Sequence, residues 1–392
     1  MKRIAFVIPW YGKDIPGGAE NACRNLAEKM HQKGIEVEVL TTCVKQFSSD
    51  WNVNHHKAGI EIVNGVPVRR FKVRKRNTAK FDEINRKLMM GIRVSHEEEK
   101  IFLKEMINSD DLMTYIKENK DRYSAFIFTP YMFGTTFYGV QQVLDKAILL
   151  PAFHDESYAY FQSFRETYSK VKGMIFFSEA EREWANRHYD LRNVKQRTLG
   201  LGISEQAGHA ERFRQKFGIR DPFILYAGRK DFGKNVHVLL DYFNRYHQVE
   251  SSQVKLVLIG GGKIDIPYQV KDRVLDLGFV SQQDKYDAYA AAEFLCNPSA
   301  FESFSYVIME SWVNGRPVLV NSHCEVTKRF CIDSNGGLFF ENFAEFRECT
   351  RLLLQNKKLS DWLGQNGKNY VLVNFRWNDV IDRYLSFLRE LG

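Results

Sequence analysis

The chain has 392 residues, of which 44% are hydrophobic and 27% are charged, and its formal net charge is +8. This composition excludes a wholly disordered chain, and the length predicts two domains because one hydrophobic core rarely serves so many residues. The positive charge suits an anionic ligand, an acidic membrane face or nucleic acid and does not choose among them.

No apolar run approaches the length that spans a bilayer, and the apolar stretch near the N-terminus is too short for a signal peptide. Six cysteines are scattered without C-x-x-C pairs. We therefore expect a reduced, cytoplasmic protein with buried thiols and no zinc site.

The first half is predicted to alternate strands and helices. A strand over 4–8 leads into the break Pro16-Gly17-Gly18, and a helix over 19–33 leads through Gly34 into a strand over 35–41. The pattern loosens over 47–99. The later elements are a helix over 100–120, strands over 125–129, 148–153 and 174–178, and a helix over 179–188.

The second half repeats this alternation after a polar stretch, 204–216, which we predict to be a linker. The predicted strands cover 223–227, 255–259, 274–277, 294–297 and 317–320. The predicted helices cover 236–247, 282–292, 304–314 and 359–391, the last with a break near 374–377. Strands that alternate with helices in both halves predict two parallel sheets with helices on both faces.

A basic turn follows the predicted strand 223–227. Gly228 and Gly233 let the backbone turn sharply, and Arg229 and Lys234 supply two cations at the start of a helix. Arginine can bind a diphosphate as a planar fork, lysine can bind it as a point charge, and a helix N-terminus adds partial positive charge. A solvated basic turn is the alternative interpretation.

Two carboxylates, Glu302 and Glu310, are eight positions apart where a predicted strand gives way to a helix. Ligands bind at such junctions in α/β folds, and carboxylates there can accept hydrogen bonds from sugar or ribose hydroxyls. The backbone N–H groups of Ser303, Phe304 and Ser305 could meet a phosphate. The alternative is a capping acid followed by an ordinary surface glutamate.

Two weaker candidates lie in the first half. Gly17 and Gly18 allow a ligand to approach the backbone closely, although they do not complete a G-x-G-x-x-G fingerprint. His154 follows a predicted strand and could donate to a phosphate or a sugar hydroxyl. The alternatives are a glycine turn capped by Glu20 and a structural histidine. The absence of a D-x-D motif argues against a divalent metal bound in that way.

The stretch Arg69–Arg76 carries six basic residues in eight. A solvated strand pair is the first interpretation, and a patch for acidic lipids is the second.

Taken together, these motifs resemble the GT-B retaining glycosyltransferases of family 4. The resemblance covers nearly the whole chain and runs in family order through Gly17-Gly18, His154, the G-R-x4-K element, Gly278-Phe279-Val280 and the E-x7-E pair. It implies two Rossmann-like, doubly wound domains that face each other across a cleft. The acceptor-binding domain would cover 1–203 with a helix at about 377–392, and the nucleotide-sugar-binding domain would cover 204–376.

The resemblance also implies roles for single residues. Arg229 and Lys234 would bind the donor diphosphate beside Gly228, Glu302 would contact the transferred sugar, and Glu310 would accept from the ribose hydroxyls. The remaining donor contacts would come from Phe279 and Val280 at the base, from the segment Ser303-Phe304-Ser305, from Gly17 and Gly18, and from His154 near the transferred sugar. The family often has glycine where this chain has Asn235 and Ser305, and either change could narrow the donor pocket.

The expected function is transfer of a hexose from a UDP- or GDP-sugar to a hydroxyl of a glycan or glycolipid, with retained configuration, in bacterial envelope polysaccharide synthesis. No cofactor or metal is expected, and the expected partners are the donor, the acceptor and an anionic membrane face, without nucleic acid. The alternatives are a nucleotide-sugar epimerase or phosphorylase of the same fold, and a non-catalytic protein that binds anions.

Overall fold

The computed structural model describes residues 2–392, which form two compact units. The first unit contains residues 2–201 and Val380–Gly392, and the second contains Gly202–Asp379. The predicted boundaries at 203 and 376 therefore lie two and three residues from those at 201 and 379. The acceptor and donor roles assigned to the two domains stay predictions.

The first unit is built on an eight-stranded sheet. Its strands are β1 Arg3–Val7, β2 Val37–Thr42, β3 Gly59–Val63, β4 Val66–Phe71, β5 Tyr123–Phe128, β6 Ala147–Leu149, β7 Gly173–Phe176 and β8 Lys195–Thr198. They lie in the order β3-β4-β2-β1-β5-β6-β7-β8, and only the β3–β4 pair is antiparallel. The β3–β4 hairpin contains the start of the basic stretch, as the strand-pair interpretation expects.

Residues 2–201 of the first unit contain seven α-helices. They are α1 Gly18–Gln32, α2 Thr78–Met89, α3 His96–Glu105, α4 Asp110–Asn119, α5 Gly134–Gln142, α6 Gln162–Tyr168 and α7 Glu179–His188. The single helix predicted over 100–120 is wrong, because the backbone breaks between α3 and α4. Met106 and Ile107 are buried in the break, and the Ser109 side chain accepts from Leu112 N–H at 3.2 Å to begin α4.

The second unit is built on a six-stranded parallel sheet. Its strands are β9 Phe223–Ala227, β10 Lys255–Ile259, β11 Val274–Gly278, β12 Phe294–Asn297, β13 Val318–Asn321 and β14 Gly337–Phe340. They lie in the order β11-β10-β9-β12-β13-β14. From β9 the chain winds outward through β10 to β11, and it then returns to the other side of β9 with β12. The strand order thus reverses between β9 and β12, and the predicted parallel α/β class is confirmed.

The helices of the second unit include one in the segment that we expected to be a linker. They are α8 Ala210–Phe217, α9 Val236–Val249, α10 Gln282–Ala291, α11 Tyr306–Val313, α12 Glu325–Ser334, α13 Phe343–Gln355 and α14 Lys357–Asn374. The linker prediction fails over α8 because Phe213 is fully buried and Arg212 pairs with the buried Asp287. The Arg212–Asp287 pair joins residues that are 75 positions apart in sequence.

The chain ends in α15, Trp377–Glu390, after the break that the sequence predicts. Where α14 ends, Ile203 N–H donates to the Phe375 carbonyl at 2.7 Å within the second unit. From Val380 onward α15 belongs to the first unit, where the Tyr384 hydroxyl donates to the Gly200 carbonyl at 2.9 Å. Its buried face carries apolar residues at helical spacing, which is why it packs.

Candidate active site

The candidate residues of the second unit follow the strands on either side of the reversal point. The loop after β9 carries Arg229 and Lys234, and the loop after β12 carries Glu302 to Ser305. In open α/β sheets, ligands bind in the crevice beyond the carboxyl ends of the strands at such a point. The topology thus brings these two groups of residues to the place where a ligand is expected.

The loop after β9 contacts the loop after β12 through an ion pair. The Lys234 ammonium lies 2.8 Å from Glu302 Oε1, and their side chains are 30% and 14% exposed. Asp231 accepts from Lys234 N–H at 2.9 Å and also pairs with the Arg229 guanidinium. Direct contacts within the second unit therefore bring these two cations and Glu302 together, and their role in donor binding stays a prediction.

The N-terminus of α11 is open to a ligand. Ser305 begins the helix without a side-chain cap, and its hydroxyl instead accepts from the Asn297 side-chain amide at 3.0 Å. Within residues 2–392, the N–H groups of Ser303, Phe304 and Ser305 have no hydrogen-bond partner. The Phe304 ring is buried against Phe330, which fixes the loop. Free amides at a helix start are a natural anion site.

The two departures from the family pattern lie in left-handed backbone. Asn235 has φ 53° and Ser305 has φ 69°. Glycine adopts this region without a steric cost, whereas other residues are strained there, although asparagine less than most. This explains why glycine suits both positions, and it shows that the replacements keep the loop conformation at a local cost.

Glu310 lies on the second turn of α11, and the surface-glutamate alternative is wrong. Its side chain is 9% exposed, and its carboxylate accepts from the Lys285 ammonium at 2.6 Å and from the Tyr289 hydroxyl at 2.9 Å. Burial first, and then the charge of Glu310, raise the pKa of Tyr289 well above its usual value. Tyr289 thus stays a phenol that can donate.

In the first unit, the glycine pair follows β1 and leads into α1. Gly17 has φ 141°, and a Cβ there would lie 1.9 Å from a carboxylate oxygen of Glu20. That carboxylate also accepts from the Trp10 indole at 2.6 Å. A Cβ on Gly18, in contrast, would meet nothing within 4 Å. Gly17 is therefore required by its own turn, and Gly18 leaves open space at the helix start.

His154 lies beyond the carboxyl end of β6, with a side chain that is 31% exposed. Its Nδ1 lies 3.7 Å from Glu156 Oε1, and Glu156 accepts from the Tyr131 hydroxyl at 2.8 Å. The imidazole thus lies near a carboxylate and remains partly exposed. His154 and the Gly17–Gly18 loop belong to the first unit, and the other candidates belong to the second.

The comparisons with known proteins agree with this geometry. Residues 209–370 match the family model described as glycosyl transferases group 1. An uncharacterized glycosyltransferase of Methanocaldococcus jannaschii is 24% identical over an alignment that covers 96% of this chain and 95% of the relative. Residues 209–370 match the glycosyl transferases group 1, and the whole chain has the GT-B fold. The family match and the fold confirm the predicted class, while assignment to family 4 stays a prediction.

Two further matches extend the comparison. The N-acetylgalactosamine-N,N'-diacetylbacillosaminyl-diphospho-undecaprenol 4-alpha-N-acetylgalactosaminyltransferase of Campylobacter jejuni is 29% identical over 179 residues, 43% of each chain. The structure of HepE from Anabaena in complex with UDP-glucose superposes on this chain with a TM-score of 0.70, at 15% identity over all of both chains. The second likeness shows the fold alone. Another relative is named an O-antigen chain mannosyltransferase of Escherichia coli, and the structural neighbours include WaaG, described as involved in lipopolysaccharide biosynthesis.

The sequence did not predict a buried ion pair beneath the loops after β9, β10 and β11. The Lys230 side chain is 1% exposed, and its ammonium lies 2.5 Å from Asp276 Oδ1, which also accepts from Gly278 N–H at 3.0 Å. Lys230 N–H donates to the Gly261 carbonyl at 2.7 Å. These bonds tie together the loops after β9, β10 and β11.

The loops joined in this way carry Phe279 and Val280, the predicted base contacts. The Phe279 ring is 79% exposed and lies against Gly261, where a Cβ would come within 2.6 Å of the ring. Val280 follows it, half-buried. An aromatic face left open beside bare backbone suits a stacked base. The run Gly260-Gly261-Gly262 was the sequence signal for this close approach, whereas nothing local marked Lys230 as buried.

A second missed residue, Glu181, holds the loop that carries His154. Its buried carboxylate accepts from Phe153 N–H and from Phe177 N–H, both at 2.8 Å. Burial raises the pKa of Glu181 to about 8, although the backbone donors oppose the shift. Because its donors come from the loops after β6 and β7, Glu181 fixes these loops relative to each other.

Three further features concern the expected absences. All six cysteines are free thiols. Across residues 2–392, no three histidine, cysteine or acidic side chains lie together as a metal site would need. The helices of the same part of the chain include none with the length and hydropathy to cross a membrane.

Proposed function

We propose that this protein is a retaining, family 4 glycosyltransferase that moves a hexose from a UDP- or GDP-sugar to a hydroxyl of a glycan or glycolipid. The observation that carries the proposal is the Lys234–Glu302 contact of 2.8 Å beside the open N-terminus of α11. A cation, a carboxylate and free amides at the reversal point match a ligand that has a diphosphate joined to a sugar.

In the proposed reaction, the bond between the sugar's anomeric carbon and the diphosphate oxygen breaks, and a bond to the acceptor oxygen forms on the same face. The acceptor proton passes to the leaving diphosphate. Arg229, Lys234 and the α11 amides would stabilise the negative charge that grows on the diphosphate, and such preorganised stabilisation is usually the largest catalytic contribution. Because these groups supply the positive charge, the reaction would need no metal or other cofactor.

The remaining side chains would position the donor. Glu302 would contact hydroxyls of the transferred sugar, Glu310 would accept from the ribose, and Phe279 with Val280 would hold the base. In the first unit, Gly17 and Gly18 would approach the phosphates and His154 would contact the transferred sugar. The open space at Gly18 and the exposure of His154 are compatible with these roles.

The relatives support the donor and acceptor classes. HepE is described in complex with UDP-glucose, and the Campylobacter enzyme is named for an acceptor on diphospho-undecaprenol. We propose by analogy a nucleotide-sugar donor, a lipid-linked or glycan acceptor, and a place in bacterial envelope polysaccharide synthesis. A cytoplasmic location is part of this proposal, and the six free thiols are compatible with it.

A peripheral contact with an anionic membrane is also proposed, on a narrower basis than the sequence suggested. Within the basic stretch, Arg69 pairs with Glu38 at 2.9 Å, and Arg70 is buried against Glu61. Lys72 and Lys75 remain exposed. At the end of α2 and just beyond it, Met89, Met90 and Ile92 are 76%, 69% and 50% exposed. Flotation with vesicles of rising anionic lipid content tests the contact, and flotation that ignores lipid charge would remove it.

The experiment that tests the proposed function begins with a thermal-shift screen of UDP- and GDP-sugars. A ligand at 100 times its dissociation constant stabilises the folded state by about 2.7 kcal/mol. The stabilising donor is then incubated with candidate acceptors, and nucleotide release and product configuration are followed by NMR. Acceptor-dependent release with a retained anomer supports the proposal. Epimerised donor, free sugar phosphate or an inverted product would contradict it.

A further inference from the structure

A lysine that the sequence analysis did not single out lies on the carboxylate assigned to the ribose. Lys285 Nζ is 2.6 Å from Glu310 Oε1, and Tyr289 donates to Glu310 Oε2 at 2.9 Å. Lys285 and Tyr289 lie one helical turn apart on α10, so the two donors come from the same face of that helix. Tyr286 of the same helix also makes a side-chain hydrogen bond with Glu310, so each Glu310 oxygen has at least one partner.

This arrangement leaves hydrogen-bonding capacity on both members of the ion pair. A carboxylate offers about four acceptor positions and an ammonium has three donors. The contacts with Lys285, Tyr289 and Tyr286 use three acceptor positions of Glu310 and one donor of Lys285, so acceptor and donor capacity remain. A ribose hydroxyl both donates and accepts, so a pair with spare acceptors and spare donors can recognise both functions of the 2′,3′-diol.

The exposure of Lys285 separates it from a purely structural lysine. Its side chain is 26% exposed, whereas Lys230, which closes a buried pair in the same unit, is 1% exposed. Lys285 lies in the first turn of α10, five residues after Val280, which is a predicted base contact. A nucleoside whose base lies at Phe279 would therefore bring its ribose toward this end of α10.

We propose that Lys285 is a specificity-determining residue for the nucleotide. Its ammonium would donate a hydrogen bond to a ribose hydroxyl, and that hydroxyl would donate a hydrogen bond to Glu310. This proposal rests on the proposed function, because it requires a ribonucleoside diphosphate at Glu310. Lys285 makes the site selective for ribose over 2′-deoxyribose. Binding either nucleotide removes water from the charged pair, and only the 2′-hydroxyl of ribose replaces the lost hydrogen bonds.

The test measures the affinity of UDP, GDP and their 2′-deoxy forms for the wild-type protein and for Lys285→Met by titration calorimetry. We expect the wild type to bind its ribonucleotide about tenfold or more tightly than the deoxy form, as for loss of a charged hydrogen bond. Lys285→Met should weaken ribonucleotide binding about tenfold and change deoxynucleotide binding much less, so the ratio collapses. Lys285→Arg should keep most of the ratio.

Lys216→Met is the matched control. Lys216, on α8, pairs at 2.7 Å with Asp284, which is the residue before Lys285 on α10. The variant therefore loses the same kind of contact next to Lys285. It should leave both affinities unchanged. If Lys285→Met weakens both nucleotides equally, Lys285 only supports the fold and the proposal is overturned. If no nucleoside diphosphate binds the wild type, the proposed function fails together with it, which is a distinguishable result.

Discussion

Two lysines of one loop, four residues apart, make ion pairs with opposite surroundings. Lys230 is 1% exposed and binds Asp276 beneath the loops, whereas Lys234 is 30% exposed and binds Glu302 at the reversal point of the sheet. The buried pair stabilises the geometry on which a nucleotide would rest. The open pair keeps charge where a diphosphate would bind. One basic turn can thus supply both a lysine that stabilises the fold and a lysine that is available to a ligand.

The largest expected effect comes from the open side of this comparison. Lys234→Ala should lower turnover by about 10²–10³-fold, as for loss of one preorganised donor to a developing anion. The free energy of unfolding should change by less than about 1 kcal/mol, because partly exposed ion pairs add little stability. Steady-state kinetics and urea unfolding measure both. Arg229→Ala, at 64% exposure, should behave alike. Unchanged turnover in both variants would remove their proposed role.

The buried side should show the reverse pattern. Lys230→Met leaves Asp276 without its cation and should cost about 2–3 kcal/mol of stability. Nucleotide affinity should also fall, because Asp276 positions Gly278 next to Phe279. Lys263→Met, an exposed lysine after the same glycine run, is the control and should be neutral. Equal stability of the Lys230 and Lys263 variants would show that the buried pair is dispensable.

The next prediction concerns the first unit, in which the buried Glu181 carboxylate holds the loops after β6 and β7 together. Because burial raises the folded-state pKa of Glu181 to about 8, the folded protein holds a proton that the unfolded chain releases above about pH 4.5. Its contribution to stability is complete below pH 4.5 and is lost as pH rises toward 8. Glu181→Gln should flatten this part of the stability profile, measured by urea unfolding at a series of pH values. A mutant profile parallel to the wild type would contradict this assignment.

The smallest effect concerns the strained start of α11. Ser305→Gly should relieve the cost of φ 69° while losing the bond from Asn297, so stability should stay within about 0.5 kcal/mol. Ser305→Ala keeps the strain and loses the bond, so it should be about 1 kcal/mol less stable. Thermal unfolding compares the two variants. Alanine as stable as glycine would show that this backbone is not strained.

The sequence predicted what depends on local pattern. The strand 223–227, the strand 255–259 and the helix 179–188 agree with β9, β10 and α7, because apolar spacing and glycine breaks mark them locally. The E-x7-E spacing also placed Glu302 before a helix and Glu310 within it. These features are encoded within a few neighbouring residues.

What the sequence did not predict depends on partners distant along the chain. The linker expected over 204–216 becomes α8 because Arg212 meets Asp287, and Lys285 acquires its role from Glu310 on another helix. From the sequence, Lys230 looks like a solvated cation, and only its pairing with Asp276 in the folded chain shows that it is buried. Such pairings arise when helices and loops pack on the sheet, and no periodicity of a single segment contains them.

The most direct measurement compares a nucleoside diphosphate with the corresponding monophosphate, for the wild type and Lys234→Ala, by titration calorimetry. We propose that the cations of the β9 loop and the amides of α11 bind a diphosphate. UDP or GDP should therefore bind the wild type at least about tenfold more tightly than UMP or GMP, as one charged hydrogen bond would give, and Lys234→Ala should remove most of this preference. Equal affinity for the two nucleotides in the wild type, or an unaltered preference in the variant, would contradict it.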